Sequence, residues 1–352
     1  MTGCNAWLVT VLLVVLAVGL AFAIGAHYTG ACMGMPHALG AVSAWQALWI
    51  MAPLAFAGAA LASHGVEHTV GHGLTNGRLT LAALSIVIGV AFALTMLFNQ
   101  SAVPTSTIQI LVFTVIGVAL AAGAAVAWRT IAILAVTWAA APVVAVGLGY
   151  LLTRLLDLVP AVRAGSDQSP TAGTTATAST TATASTTALR AGGVLALALI
   201  AVGAAASFTM GANDVANATG PLVGASLFSP LTAGLIGGAG IAAGVLTWGR
   251  PLLSKVAFDI VTVDRPMATA AQLVQAVVVL VAVSFGLFTS MNQALVGAMA
   301  GAGLARGKHA VHAASLYGIL RGWLIGPGAG ITAGFLLALA AKAAGVVLLA
   351  QA

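Results

Sequence analysis

The sequence predicts an all-α polytopic membrane protein, built as two inverted five-segment repeats with broken helices and re-entrant hairpins. Three observations carry this expectation. The 352 residues are 61% hydrophobic and only 5% charged, with a mean hydropathy of +1.11. A soluble chain of that size carries far more charge on its surface. Uncharged runs recur along the whole chain, most of them near or above the ~20 residues that cross a bilayer as helix. The two halves of the chain also repeat one another.

The runs justify the segments in order. The first, 5–24, lacks a positively charged leader and is followed by a long polytopic chain. It reads as a retained membrane helix rather than a cleaved signal. Runs at 38–62, 79–98, 108–127 and 131–153 complete a first repeat, 1–155. Residues 156–190 change character, with "AGSDQSPTAGTTATASTTATASTTALR" holding almost no large apolar side chain. Such a segment cannot bury enough surface to fold and reads as a disordered cytoplasmic linker. Runs at 191–209, 222–247, 267–288 and 313–341 make up the second repeat, 191–352; in each repeat the fourth and fifth segments are hard to separate. Cys4 and Cys32 lie far apart and suggest no disulfide framework.

The repetition is explicit. "FAIGAHYTGACMG" at 22–34 aligns with "FTMGANDVANATG" at 208–220, an offset of 186. "TSTIQILV" at 105–112 aligns with "TSMNQALV" at 289–296, an offset of 184, and Trp138 and Pro142 align with Trp323 and Pro327. Five segments is an odd number, so the second copy enters the membrane from the opposite side. Strict alternation collects Arg78 and Arg129 on one side. It puts Arg154, Arg163, Arg190, Arg250, Lys255, Arg265, Arg306 and Lys308 on the other. The positive-inside rule makes the second side cytoplasmic, with the amino terminus outside a plasma membrane. The net charge of +6 is spread over loops, without the basic stripe that nucleic acid requires. Inverted repeats are a recurring plan of secondary transporters, with the site near mid-membrane at the repeat interface.

Asp214 is one of only six acidic residues, and it lies between Asn213 and Asn217 in an apolar setting. A carboxylate in low dielectric needs a partner, a proton or a cation. Gly211, Gly220 and Pro221 permit a broken helix whose freed carbonyls suit a cation and whose N–H groups suit an anion. The environment fits a Na+ or H+ site beside an anion site. The competing reading is an ordinary helix N-cap. Two further stretches, around 99–109 and 287–293, interrupt apolar runs with hydroxyls and amides. Thr105, Ser106, Thr107 and Gln109 match Thr289, Ser290, Asn292 and Gln293. Uncharged donors of this kind suit a tetrahedral oxyanion. One such stretch is most simply a polar loop; its recurrence in both halves favours a site.

"GANDVANATG" resembles the signature of the inorganic phosphate transporter (PiT) family, which includes some bacterial sulfate permeases. "GVEHTVGHGL" at 65–74 is similar to a segment after the first signature copy. "VPTSTIQILVFTVIGVALAAG" and "FTSMNQALVGAMAGAGLARG" resemble the paired hairpins, and "WAAAP" and "WLIGP" the Trp–Pro helices. The resemblance covers nearly the whole chain outside the linker. It implies a symporter that moves inorganic phosphate inward with Na+ or H+ by alternating access. It further implies Asn213, Asp214 and Asn217 as cation or substrate ligands, and Ser106, Thr107 and Ser290 as anion ligands. The chain departs from the pattern at His27 and Tyr28, where Asn and Asp are expected. Gly30 and Ala31 continue this weakened copy; one cation site is then lost, or His27 carries a proton in its place. Gln109 and Gln293 replace a histidine, Phe288 a proline and Asn292 a threonine. Fewer protonatable groups would favour a fully ionised anion, which keeps sulfate as the alternative substrate.

The remaining polar groups have plainer readings. His64, His68 and His72 share a spacing of four, with Glu67 among them. The nearby glycines make a solvated loop face a better reading than a zinc site. Trp45, Trp49, Trp128 and Trp248 read as an interfacial belt. Asp259 and Asp264 read as surface partners of Lys255 and Arg265, and His309 and His312 as interfacial. Arg321 is split between attracting an anion and snorkelling to the interface. No phosphate-binding P-loop and no nucleophile elbow is present, so an ATP-driven pump and an enzyme are not expected. No cofactor is expected beyond the coupling ion. The partners are the anion, Na+ or H+ and the lipid bilayer; a homodimer is compatible with the sequence. An anion channel is the alternative of another class.

Overall fold

The computed structural model describes residues 3–101, 105–159, 162, 186–253, 263–307 and 313–350. Its described residues form thirteen α-helices. In the first half these are α1 (Gly3–His27), α2 (Thr29–Ala38), α3 (Ala44–Ala62), α4 (His64–His72), α5 (Leu81–Ser101), α6 (Thr107–Ala122) and α7 (Trp128–Asp157). In the second half they are α8 (Thr186–Asp214), α9 (Ala216–Gly224), α10 (Pro230–Trp248), α11 (Arg265–Ser284), α12 (Met291–Arg306) and α13 (Ala313–Ala343). Eight stretches are long and apolar enough to cross a membrane, two of them joining α1 to α2 and α8 to α9.

Local chemistry sets many of the boundaries. Ser43 and Gln46 form a reciprocal capping box at the start of α3. Ser229 caps α10 ahead of Pro230, and the Asp264 carboxylate accepts from Met267 N at 2.8 Å to cap α11. Gly123, at φ +81°, terminates α6 in a left-handed conformation open to glycine. The apolar run at 108–127 therefore ends five residues early. The run at 267–288 stops at Ser284, and the fourth segment of the second half is α12, which no apolar run marked. The ends of the supposed linker are helical, since α7 runs to Asp157 and α8 starts at Thr186. The stretch between, apart from 158–159 and 162, lies outside the described residues, as do Lys255, Asp259, Lys308, His309 and His312.

The helices pack backbone to backbone. A methyl carbon built on Gly58 would lie 1.9 Å from the Phe208 carbonyl oxygen, and one on Gly211 1.9 Å from that of Ala55. Only glycine permits α3 and α8 this approach, the usual device of helices that meet within lipid. The pairings cross between the halves. α3 packs on α8 as α10 packs on α1, and α6 packs on α13 as α12 packs on α7.

Two groups of loops gather at opposite ends of α7, about 45 Å apart by its thirty residues. Thr75 bridges to Val126 and Leu79 to Leu349 at one end. At the other, Arg306 pairs with Asp157 at 2.7 Å and Asp264 at 2.8 Å. Asp264 thus takes Arg306 rather than its neighbour Arg265, whose guanidinium donates to Leu39 O at 3.2 Å. Trp45, Trp49, Trp128 and Trp248 are exposed as the belt requires, and Arg321 is exposed as well.

Candidate functional site

Both long entry helices break at the matching position. α1 ends at His27 and α2 resumes at Thr29; α8 ends at Asp214 and α9 resumes at Ala216. Pro36 and Pro221 lie a few residues beyond the breaks, within α2 and α9. Facing them are the starts of α6 and α12, each capped by a serine. Ser106 Oγ accepts from Gln109 N and Ser290 Oγ from Gln293 N, both at 3.3 Å. The two serines therefore have a structural task of their own at the ends of these helices.

Asp214 is fully buried at the end of α8, and it is not a helix cap: α9 has no side-chain cap bond. Its Oδ2 accepts from Asn213 Nδ2 at 2.9 Å. Its Oδ1 lies 3.5 Å from both Thr107 Oγ1 and Asn217 Nδ2. Thr107 Oγ1 also receives Asn217 Nδ2 at 3.3 Å and meets the Tyr28 hydroxyl at 3.0 Å. A hydroxyl has one proton. With that of Thr107 directed to Asp214, Tyr28 must be the donor, giving a relay Tyr28 to Thr107 to Asp214. The two ion pairs among the described residues both involve Arg306, away from this carboxylate. Asp214 is thus supported only by neutral donors.

The two halves anchor the matched residues alike. Asn213 donates to Thr289 O at 2.8 Å and receives Thr289 N at 3.2 Å. His27, the counterpart of Asn213, lies 3.4 Å from Thr105 O, the counterpart of Thr289. His27 Nδ1 meets Asn99 Oδ1, whose amide nitrogen donates to Ala23 O at 3.0 Å. Its Nε2 receives Asn292 Nδ2 at 3.2 Å, and the same amide donates to Thr105 O at 2.9 Å. With Nδ1 donating to Asn99 Oδ1, Nε2 accepts from the Asn292 amide in the neutral ring and donates to Thr105 O in the protonated ring, so both charge states find partners. Gln293 Nε2 donates to Gln109 Oε1 at 3.2 Å across the halves. This pair borders a cavity of about 580 Å³ between Trp138 and Trp323.

All eleven candidate residues are buried, and the structure brings seven of them into two adjoining groups. Asn213, Asp214, Asn217, Thr107 and Thr289 form one; His27 and Asn292 form the other, next to Thr105. Ser106 and Ser290 serve as caps, while Gln109 and Gln293 bind each other. Several buried polar atoms have no partner: the Thr105 and Thr289 hydroxyls, Asn217 Oδ1, Asn292 Oδ1 and Gln293 Oε1. Unsatisfied hydroxyls can donate to an oxyanion, and unsatisfied amide oxygens beside a carboxylate can ligate a hard cation. Sequence reasoning missed Asn99, although it opens the polar stretch 99–109. It also treated Tyr28 only as a lost aspartate, not as a donor in the relay. His64, His68 and His72 do lie on an exposed face, but that face is the helix α4 rather than a loop. Among the described residues no group of three metal-binding side chains converges.

The sulfate permease CysP of Bacillus subtilis is 26% identical over 318 residues, covering 89% of this chain and 83% of its own length. The chloroplastic inorganic phosphate transporter 2-1 of Arabidopsis thaliana is 36% identical over 132 residues, 34% of this chain and 22% of that one. A putative phosphate permease of Haemophilus influenzae is 34% identical over 146 residues, 38% of this chain and 34% of its own. In fold, a solved structure described as the sodium-dependent phosphate transporter superposes with a TM-score of 0.83 at 22% identity, covering 95% of this chain and 99% of that one. The model of the phosphate transporter family matches residues 24–334, and the chain belongs to that family of membrane transporters for inorganic anions.

Proposed function

We propose that this chain is a secondary transporter that takes up inorganic phosphate together with Na+ or H+. Two inverted five-segment repeats, 1–155 and 191–352, would alternate around the buried centre, with residues 156–190 and the Arg306 end in the cytoplasm. The observation that carries this reading is the carboxylate of Asp214, buried among neutral donors and met by the Thr107 hydroxyl at the start of α6. A bare carboxylate repels an oxyanion; a cation or a proton at Asp214 removes that repulsion and couples the two fluxes. The crossed pairings of α3 with α8 and α1 with α10 support two halves that move as related units.

Sulfate is the second reading, and one observation favours it: the relative matched along 89% of this chain is named a sulfate permease. The pairing of Gln109 with Gln293, where the family carries a histidine, leaves the junction of α6 and α12 without a titratable group. Uptake of labelled phosphate and labelled sulfate into proteoliposomes, under imposed Na+ and H+ gradients in turn, tests both. Saturable phosphate uptake driven by one gradient is the expected result. Sulfate uptake that phosphate does not compete with moves the chain to the second reading. Unsaturable flux without coupling would make it a channel.

A further inference from the structure

A second buried carboxyl lies outside the cluster around Asp214 and plays no part in the function proposed above. Glu67 sits on α4, past the end of the Ala44–Ala62 span. Its side chain is nonetheless fully buried, while His64, His68 and His72 on the same helix are exposed. It is pressed against α9. A methyl carbon on Gly224 would lie 2.2 Å from Gly71 O, so the two backbones are in contact there. Glu67 Oε1 lies 2.7 Å from Thr219 Oγ1, and Oε2 has no hydrogen-bond partner.

The Thr219 hydroxyl determines what this carboxyl can hold. Oγ1 lies 2.7 Å from Glu67 Oε1 and 3.0 Å from Val215 O, two acceptors for one proton. With Glu67 ionised, Thr219 donates to Oε1 while Val215 O keeps its backbone donors Ala218 N and Thr219 N, and Oε2 stays buried as a bare carboxylate oxygen. With Glu67 protonated, its O–H donates to Thr219 Oγ1 and Thr219 donates to Val215 O. Both contacts are then made and no charge is buried. A hard metal cation fits poorly, since it takes about six oxygens. Beyond the carboxylate and Thr219, the Ser63 hydroxyl adds one more oxygen, and its proton goes to Ala59 O at 2.6 Å. The helices around α4 bring no charge to Glu67, and Arg78, on the loop after α4, lines a cavity with Val70, Gly71 and Gly224 that Glu67 does not line. α3, α9 and α10 carry no titratable side chain, and α11 carries only Arg265, at the end remote from Ser284 and the Gly286 turn that touches Gly65. On α4 itself the three histidines face outward. Burial pushes the Glu67 carboxyl up to about 7 from its ordinary 4.5.

We propose that Glu67 is a proton-binding site whose proton holds α4 against α9 and so links pH to Asn217, two residues before Thr219 on that short helix. The link to transport rests on the proposed role of Asn217; the proton site itself does not.

Infrared titration of the purified full chain, read at the C=O stretch of a protonated carboxyl from about pH 4 to about pH 9, tests it without transport. The difference between wild type and Glu67→Gln is expected to contain one carboxyl with a midpoint near 7. A difference with no carboxyl titrating above about pH 5.5 would overturn the proposal. If Glu67→Gln does not fold, the Asp214→Asn variant gives the same answer. Glu67 is then the one remaining fully buried carboxyl among the described residues, so the band must persist, and its disappearance overturns the site. Stability supplies a second readout. The folded chain holds this proton to a higher pH than the unfolded chain does. Its melting temperature therefore falls as pH climbs from 4.5 to about 7, and Glu67→Gln makes that fall smaller, leaving the part due to Asp214, the other buried carboxyl. An identical fall in wild type and Glu67→Gln counts against the site. In uptake assays Glu67→Gln is expected to transport but to lose the pH step. Absence of wild-type transport would overturn the transport reading and leave the infrared result standing.

Discussion

Thr107 is the residue through which the centre is joined. Its single hydroxyl meets Tyr28 from the first half and Asn217 and Asp214 from the second. Thr107→Val keeps the shape and removes the hydroxyl, leaving a buried phenol and a buried carboxylate each short of a partner. The expected cost is about 1–3 kcal/mol of stability, with uptake reduced at least about tenfold, read by thermal unfolding and labelled-anion uptake. Unchanged uptake by a folded Thr107→Val protein would remove Thr107 from the site. Asp214 and its flanking amides were legible because a lone acid in an apolar chain demands an explanation. The Tyr28 relay was not, because the hydroxyls of Tyr28 and Thr107 are 79 residues apart and nothing in local pattern pairs them. Glu67 was read as part of a solvated face for the same reason: its partner Thr219 is 152 residues away.

At the scale of elements, breaks and caps do the positioning. Glycine and proline around 211–221 announced the interruption between α8 and α9, and the hydroxyl-rich stretches announced the starts of α6 and α12. The helix α12 itself stayed hidden. "MNQALVGAMAGAGLAR" is rich in glycine and alanine because it packs closely on α7, where a methyl carbon on Gly301 would lie 2.0 Å from Val146 O. Small residues lower the hydropathy that marks a span. The same argument predicts the weight of Gly211. Gly211→Ala places a methyl carbon on the Ala55 carbonyl, so α3 and α8 must separate beside Asp214. About 3 kcal/mol or more of destabilisation is expected, seen as loss of folded protein in detergent. A wild-type melting temperature would refute the close contact.

For the whole molecule, the crossed pairings make each half the packing partner of the other. The repeat was read from three aligned motifs, and the structure gathers the loops it describes at the two ends of α7. The choice of Arg306 as the partner of Asp264 was not legible, since it depends on α7, α11 and α12 ending together. The central claim is that occupancy of Asp214 couples the anion to a cation across these two halves. The most direct test compares wild type with Asp214→Asn in proteoliposomes, measuring anion accumulation under the driving gradient alongside thermal unfolding. The account predicts a folded variant that no longer accumulates anion in response to the gradient. Normal gradient-driven accumulation by a well-folded Asp214→Asn protein would contradict it.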